Sequence, residues 1–335
     1  MQYQEQMSDS QGFKQAYLDG IEALIAKKQA EMSEKRKEYC KNIFCDPEPY
    51  REEFKAMLGW PLVGHTATAL PAVSSELLSN EEGYAIYRMS FEILDGVKMT
   101  GLYFKINGEQ KRPLVLVQHG GDGTPELIAG IHEKTYNYND MLHRVLKYGV
   151  DVFAPQLLLW KSEKFGVPFD RKDLDAKLKR LGSSITAVEL YGLTRILDYF
   201  EAQDDITVFG MVGLSYGGFY TLFTAAIDTR IQSAVSCSFF NTRDVVSWSD
   251  WTWQNAAKKF DDAEIACLVY PRRISLQMGD HDELFDYKHS IASFEKIKEL
   301  AASVGTDWVE LICFDGKHEF YKDDLPIETL IKDLT

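Results

Sequence analysis

The stretch Ile206-Thr-Val-Phe-Gly-Met-Val-Gly-Leu-Ser-Tyr-Gly-Gly-Phe219 is an apolar run that ends in a glycine-rich turn. A buried strand that passes through a tight turn into a helix presents one side chain at the apex. Glycines on both sides remove the Cβ atoms that would clash there. The apex residue is Ser215, and the apolar stretch 219–228 predicts the helix that follows. The pattern therefore indicates an exposed serine nucleophile, and a closely packed turn without chemistry is the alternative.

Alternating and apolar runs elsewhere in the chain predict the sheet to which this strand belongs. Residues 84–94 and 97–106 alternate on either side of Asp95-Gly96, which is typical of a hairpin. The short apolar run 113–118 suits a strand buried on both faces. Strand and helix patterns then alternate, which favours an α/β fold with a mostly parallel, doubly wound sheet and helices on both faces. The later predicted strands are 150–154, 231–238, 273–278 and 308–314, and the helices are 140–148, 183–200, 288–302 and 326–334.

The expected domain boundary lies near residue 80, where helical patterns give way to strand patterns. Apolar residues at helical spacing over 12–40 and 51–58 predict an N-terminal helical extension, residues 1–80, packed on the core. Residues 81–335 then form one α/β domain that contains the Ser215 turn. Polar or irregular insertions are expected at about 156–181 and 239–270. His65, in a loop of the extension, suits packing better than metal binding because no second ligand lies nearby in the sequence.

Composition excludes several classes of partner. The 335 residues are 45% hydrophobic and 26% charged, with a net charge of −14, which would repel phosphate backbones and anionic lipid. We therefore expect neither nucleic acid nor a membrane as partner. The first residues lack the basic and apolar regions of a secretory signal, so we expect a cytoplasmic protein. Five cysteines without a C-x-x-C spacing indicate reduced thiols.

A serine nucleophile needs a base and a third group that orients the base. His318 follows the last predicted strand, and Asp282 follows the strand before it, so both should lie at the same sheet edge as Ser215. Asp280, two residues earlier, is the competing acid. The acidic loop could also be a solvated turn or a cation site, although four consecutive residues do not easily converge on one ion. We expect no metal and no organic cofactor.

Two backbone N–H groups should stabilise the oxyanion in such a site. The first is that of Tyr216, directly after the nucleophile. The second comes from the glycine-rich loop after the strand 113–118, with Gly121 as first candidate and Gly120 as second. The His119 side chain either contacts substrate or supports this loop, and support is the favoured role.

Three tryptophans lie within six positions after the strand 231–238. Trp248, Trp251 and Trp253 are too many large rings for a solvated loop, so they must cover something. One hypothesis makes them a wall of the substrate pocket, since aromatic faces suit sugar rings and aryl groups. The other makes them a structural cap packed with the N-terminal extension.

These motifs together resemble a known superfamily. His119-Gly-Gly, Gly213-Leu-Ser-Tyr-Gly217, Gly279-Asp-His-Asp282 and Gly316-Lys-His318 are similar to the α/β-hydrolases, and most similar to their dienelactone-hydrolase and acetyl-xylan-esterase-like branch. The resemblance covers roughly residues 83–325 and implies a serine carboxylesterase acting on a small or sugar-linked ester. Dienelactone hydrolases carry a cysteine nucleophile, so Ser215 favours the esterase chemistry.

Two other functions stay open at the level of sequence. A prolyl-oligopeptidase-like peptidase shares the order of the triad and the glycine-rich elbow. A non-catalytic binding protein could keep the hydrolase fold, but loss of a triad residue would then be expected. The expected partner is a small-molecule ester, and a homo-oligomer is possible.

Overall fold

The structure is a computed structural model, and it describes residues 3–60, 69–160 and 167–335. Its centre is a nine-stranded sheet. The strands are β1 (Val73–Asn80), β2 (Tyr84–Leu94), β3 (Val97–Ile106), β4 (Arg112–Gln118), β5 (Asp151–Pro155), β6 (Ile206–Leu214), β7 (Ile231–Cys237), β8 (Arg273–Gly279) and β9 (Val309–Phe314). Their spatial order is β1-β2-β3-β5-β4-β6-β7-β8-β9.

The sheet is antiparallel at one side and parallel through the rest. β1, β2, β3 and β5 pair in an antiparallel manner, and every pairing from β5 through β4 to β9 is parallel. The carboxyl ends of the parallel strands therefore meet at one edge, where loops of a doubly wound sheet bind ligands. This arrangement confirms the mostly parallel α/β fold expected from the sequence.

Helices cover both faces of the sheet. They are α1 (Met7–Tyr39), α2 (Glu48–Leu58), α3 (Pro125–Ile128), α4 (Met141–Leu146), α5 (Arg171–Arg180), α6 (Ile185–Glu201), α7 (Tyr216–Ile227), α8 (Asp262–Cys267), α9 (Tyr287–Leu300) and α10 (Leu325–Leu334). The β4 strand shows the division, because Leu114 and Leu116 face a core with α6 and α7. Val115 and Val117 face a second core with α4 and α10. A strand buried on both faces explains its wholly apolar sequence.

The boundary of the N-terminal extension differs from the expected one. Residues 73–80 form β1 of the sheet and not part of a helical extension. This strand carries Val-Ser-Ser-Glu-Leu-Leu-Ser-Asn and is exposed along most of its length, so it lacks the alternation by which strands are recognised. Backbone pairing to β2 holds it at the sheet edge. Two expectations from the sequence fall partly outside the described residues. The structure does not describe residues 61–68 of the extension, which include His65, or residues 161–166 of the first insertion.

Two helices, α1 and α2, account for most of the described residues before β1. The carboxyl end of α1 is attached to the body through the buried Arg36, whose guanidinium contacts Glu264 at 3.1 Å and Asp261 at 3.3 Å. In α2, the ring of Phe54 packs against those of Phe223 and Phe260. Among the described residues, no helix combines the length and the apolar composition that a membrane crossing needs.

Candidate active site

The turn between β6 and α7 has the geometry that its glycines predict. Ser215 lies between them with φ 60° and ψ −121°, a conformation that non-glycine residues rarely adopt. A Cβ on Gly213 would lie 2.2 Å from the carbonyl oxygen of Gly217, and one on Gly217 would lie 2.1 Å from that of Gln118. The Ser215 N–H donates to the Cys237 carbonyl at 2.8 Å. Close backbone packing therefore holds the serine at the apex.

The loops after β8 and β9 bring a carboxylate to a histidine. His318 Nδ1 lies 2.8 Å from Asp282 Oδ2, and the Asp282 side chain is fully buried. Asp282 Oδ1 accepts hydrogen bonds from the backbone N–H groups of Leu284 and Phe285 at 2.8 and 3.0 Å. These bonds fix the carboxylate, which in turn orients the imidazole and leaves Nε2 as the other ring nitrogen.

Of the two carboxylates that the sequence left open, Asp282 is therefore the one bonded to His318. Asp280 Oδ1 instead accepts the N–H of Gly316 at 3.2 Å. Asp280, His281 and Asp315 also bring one potential ligand atom each to within 4.8 Å of one another. His281 and Asp315 are exposed, and exposed acidic groups often lie this close without an ion, so this cluster carries no metal assignment.

Ser215 and His318 open into the same cavity. Its volume is about 390 Å³. A larger hollow, of about 570 Å³, lies between α2 and residues 252–259, but its described lining contains neither Ser215 nor His318. The smaller cavity therefore defines the candidate active site. Its other lining residues are Gly120, Gly121, Asp122, Leu127, Glu133, Tyr136, Asn137, Tyr138, Trp160, Leu214 and Leu284.

The glycine-rich loop after β4 distinguishes the two candidate oxyanion donors. The Gly120 N–H donates to the Tyr138 hydroxyl at 2.9 Å, so it is already occupied. Among the residues that the structure describes, neither the Gly121 N–H nor the Tyr216 N–H has a hydrogen-bond acceptor. This corrects the inclusion of Gly120 among the donors and leaves Gly121 and Tyr216.

The His119 side chain lies beneath this loop and not in the cavity. Its ring is fully buried, with Nδ1 2.9 Å from the Gly120 carbonyl and Nε2 accepting the Leu157 N–H at 3.1 Å. Burial lowers the pKa of His119 to about 4, so the ring is neutral at pH 7. Because both nitrogens bind backbone groups, His119 supports the loop and does not face substrate, which corrects its placement as a substrate contact.

A segment that sequence reasoning missed, residues 137–139, connects the loop after β4 to the loop after β9. Asn137 donates from Nδ2 to the His318 carbonyl at 3.0 Å, and its own carbonyl accepts the Phe320 N–H at 2.7 Å. Tyr138, the next residue, binds Gly120 as described. The sequence signal is weak, since it consists of asparagines in a polar loop, where positive φ angles are common. Asn139, with φ 47°, is one such residue.

A buried network of charges lies next to Ser215 and Tyr216. Arg171 Nε donates to Asp250 Oδ2 at 2.7 Å, and its NH2 donates to Glu189 Oε2 at 2.9 Å. The Tyr216 hydroxyl also donates to Asp250 Oδ2, at 2.8 Å, and accepts from Trp160 Nε1 at 3.0 Å. All three charged side chains are at most 6% exposed. The network thus joins the insertion, α6 and the tryptophan segment to the residue after Ser215.

The three tryptophans lie outside the described lining of the Ser215 cavity. Trp251 is 1% exposed, and its ring stacks on Phe219 of α7 with centroids 4.9 Å apart. Trp253 is half-buried and packs on the same ring at 6.4 Å. Trp248 is half-buried, and its ring centroid lies 5.0 Å from that of Trp160, which does line the cavity. Their placement disagrees with the pocket-wall hypothesis. It favours a structural cap, but one whose ring contacts are with α7, where the sequence predicted the N-terminal extension.

The cap has a charged centre. The Arg243 guanidinium lies 5.2 to 5.9 Å from five ring centroids, and it pairs with Asp262 at 2.6 Å. Cations are attracted to the faces of aromatic rings, and more so where water is excluded. What the tryptophans cover is therefore this arginine and α7. The five rings belong to Phe219, Phe223, Phe239, Trp251 and Trp253.

Comparison with known proteins adds to this geometry. No protein-family profile matches the chain. Over 193 residues it is 30% identical to the "Putative hydrolase YtaP" of Bacillus subtilis (strain 168), an alignment that covers 51% of this chain and 61% of that protein. The chain thus spans about three fifths of this curated relative.

Solved structures share the fold at low identity. A "putative acetyl xylan esterase" from Bacteroides fragilis NCTC 9343 has a TM-score of 0.65 and 18% identity, over 80% of this chain and 74% of its own. A glucuronoyl esterase from Solibacter usitatus has a TM-score of 0.60 and 15% identity, over 85% and 91%. The sheet order, the elbow at Ser215 and these similarities together show that the chain has the α/β-hydrolase fold.

Proposed function

We propose that this protein is a serine hydrolase that cleaves a carboxylic ester through an acyl-enzyme. One observation carries the proposal: His318 is bonded to the buried Asp282 and lines the same cavity as Ser215 at the apex of its turn. Nucleophile, base and orienting acid are the three groups that acyl transfer requires. The similarity to a hydrolase and to esterase structures supports the same reaction class.

In the first half of the reaction Ser215 Oγ attacks the ester carbonyl while His318 Nε2 takes the hydroxyl proton. Asp282 keeps the Nδ1–H tautomer in place and stabilises the imidazolium. The carbon–oxygen bond to the alcohol then breaks, and His318 returns its proton to the leaving oxygen. In the second half His318 deprotonates a water molecule, which attacks the acyl carbon. The bond from that carbon to Ser215 Oγ then breaks, His318 returns the proton to Oγ, and the acid leaves.

The negative charge that develops on the carbonyl oxygen needs donors that are already in place. The N–H groups of Tyr216 and Gly121 supply them in this proposal. Tyr216 directly follows Ser215, Gly121 lines the same cavity, and neither N–H has an acceptor among the described residues. Tyr216 also begins the twelve-residue helix α7, whose amino end carries partial positive charge. A Cβ at Gly121 would lie 2.9 Å from the Trp160 ring, so any larger residue there would have to displace that ring.

The cavity favours small or sugar-linked esters. A volume of about 390 Å³ is at the lower end of the usual range for ligand sites, roughly 300–1,000 Å³. Trp160 and Tyr136 offer aromatic faces, which suit sugar rings. The sugar-linked esters named for the acetyl xylan and glucuronoyl esterases belong to this class.

Substitution of the nucleophile tests the proposal. Ser215→Ala should abolish hydrolysis of p-nitrophenyl acetate, with a loss of several orders of magnitude, and leave the melting temperature nearly unchanged. Ser233→Ala is the matched control, because this serine on β7 bonds Asp333 of α10 and lies outside the cavity lining. Near-normal hydrolysis by a folded Ser215→Ala protein would refute the assignment.

A second measurement separates the ester reaction from the other hypotheses. The unchanged protein should hydrolyse short p-nitrophenyl esters faster than aminoacyl-nitroanilides. The reverse preference would favour a peptidase. A protein inactive on both series, and unlabelled by a serine-reactive fluorophosphonate, would favour a non-catalytic binding protein.

A further inference from the structure

The amino-terminal part of α1 stands clear of the rest of the described chain. Residues 3–28 are all exposed, and the first half-buried residue of the helix is Gln29. The helix has 33 residues, which corresponds to a length of about 50 Å at 1.5 Å per residue. The body holds only its carboxyl end, through Arg36. We call residues 3–28 the arm.

The arm carries a stripe of large apolar side chains. At 100° per residue these side chains fall within roughly 140° of the helix circumference, so they share one face. The stripe, with the exposed fraction of each residue, consists of Phe13 (74%), Tyr17 (74%), Leu18 (49%), Ile21 (39%), Leu24 (51%) and Ile25 (51%).

Such a stripe needs a covering surface. Most of the stability of a helix in a protein comes from the packing of an apolar face, and the stripe has no such packing within the described part of one chain. A contiguous exposed apolar patch on a soluble protein also marks an interaction site. The opposite face of the arm carries Ala16, Asp19 and Ala23, so the apolar character is confined to one side.

We propose that the stripe is the interface of a homodimer, in which the arms of two copies pack against each other in antiparallel orientation. A two-fold axis makes the same face serve both chains. Aromatic side chains bury roughly 150–250 Å² each, so two of them and four half-exposed aliphatic ones supply on the order of 500–600 Å² per chain. The total, about 1,000–1,200 Å², reaches the lower bound for a specific interface.

The sequence of the arm favours the antiparallel orientation. Four of the six stripe residues pair about position 19, so Phe13 of one chain meets Ile25 of the other and Tyr17 meets Ile21, which places large rings beside aliphatic side chains. Gly20 lies near the crossing point, and a Cβ there would have nothing within 4 Å. In this register the acidic Asp9 of one copy would lie beside the basic Lys28 of the second copy. A parallel pair would place like charges together.

The mass of the particle in solution tests the interface. Light scattering behind size exclusion should give twice the mass of one chain at micromolar concentration. Tyr17→Asp/Ile21→Asp should give the mass of a single chain with unchanged esterase activity. Ala16→Asp/Ala23→Asp places the same charges on the same helix, on its opposite face, and should stay dimeric. A single-chain mass for the unchanged protein, or equal behaviour of the two double variants, would overturn the proposal.

Cross-linking tests the orientation. Phe13→Cys and Ile25→Cys chains are mixed in equal amounts, oxidised, digested and analysed by mass spectrometry. Antiparallel packing predicts a disulfide between position 13 of one chain and position 25 of the other. In that arrangement the two Phe13→Cys positions are about 18 Å apart along the helix, beyond the reach of a disulfide. Links between two Phe13→Cys chains would refute the antiparallel pair.

Discussion

Tyr216, the residue after Ser215, has two groups whose roles can be tested separately: its backbone N–H and its side-chain hydroxyl. Its backbone N–H is a proposed oxyanion donor, whereas its hydroxyl points into the buried network, where it donates to Asp250 at 2.8 Å and accepts from Trp160 at 3.0 Å. The change Tyr216→Phe removes the hydroxyl and leaves the backbone in place. We expect this variant to lose stability while it keeps most of its catalytic rate.

The magnitude follows from the partners of the hydroxyl. Asp250 retains its bond to Arg171 at 2.7 Å, and Trp160 is 38% exposed, so its indole N–H can turn to water. The main loss is then one buried hydrogen bond to a carboxylate, worth about 1.5–3 kcal/mol of the free energy of unfolding. In a chain of 335 residues such a loss lowers the melting temperature by roughly 2–4 °C.

Urea unfolding and steady-state kinetics on one short ester measure the two effects. The kcat of Tyr216→Phe should fall by less than about tenfold. Tyr220→Phe is the matched control, because its hydroxyl bonds Glu189 of the same network one turn further along α7, away from Ser215. It should lose stability to a similar degree. A thousandfold fall in kcat for Tyr216→Phe at unchanged stability would show that the hydroxyl acts on substrate and would refute this reasoning.

Three further predictions concern the triad, the loop histidine and the cap. Asp282→Asn should lower kcat by about 10⁴-fold because the amide no longer selects the Nδ1–H tautomer, whereas Asp280→Asn should stay within tenfold in the same assay. Burial lowers the pKa of His119 to about 4 from 6.5, so the unfolded chain binds a proton at this residue at a higher pH than the folded chain does. The free energy of unfolding should therefore fall by about 3 kcal/mol as pH drops from 6.5 to 4. Urea unfolding of His119→Asn should lack this pH-dependent loss, and an equally steep loss in the variant would contradict the prediction. Trp251→Ala should cost about 3–5 kcal/mol of stability without changing the relative rates on short and long esters. Trp160→Ala, on the cavity wall, should change those relative rates with little loss of stability. A change in relative rates for Trp251→Ala without loss of stability would restore the pocket-wall hypothesis.

Features encoded by neighbouring residues could be predicted from the sequence. The hairpin of β2 and β3 follows from alternation around Asp95-Gly96, and the structure has both strands with the expected bounds. The turn at Ser215 follows from glycines whose absent side chains make room for backbone atoms. Both signals are local, and no distant partner is needed to read them.

Features that depend on distant partners could not be predicted in this way. Arg171, Glu189 and Asp250 come from three separate segments, and each alone looks like an ordinary surface charge until the fold buries it. The tryptophans posed a related problem, because a sequence shows that large rings need cover without showing what covers them. Here the answer was Arg243 and α7. The edge strand β1 escaped notice because backbone pairing, and not burial, defines it.

The backbone at Ser215 also decides which nucleophiles this fold can use. At φ 60° the Cβ atom is already close to neighbouring carbonyl groups, and a second heavy substituent on it would be crowded. Threonine is therefore excluded from the apex, whereas cysteine has the same single branch as serine and fits. A chain of this fold could exchange an oxygen nucleophile for a sulfur one by a single substitution at the apex, with its base and acid unmoved. The choice between an oxygen and a sulfur nucleophile at this position is then made by one atom, while the turn disfavours residues that are branched at Cβ.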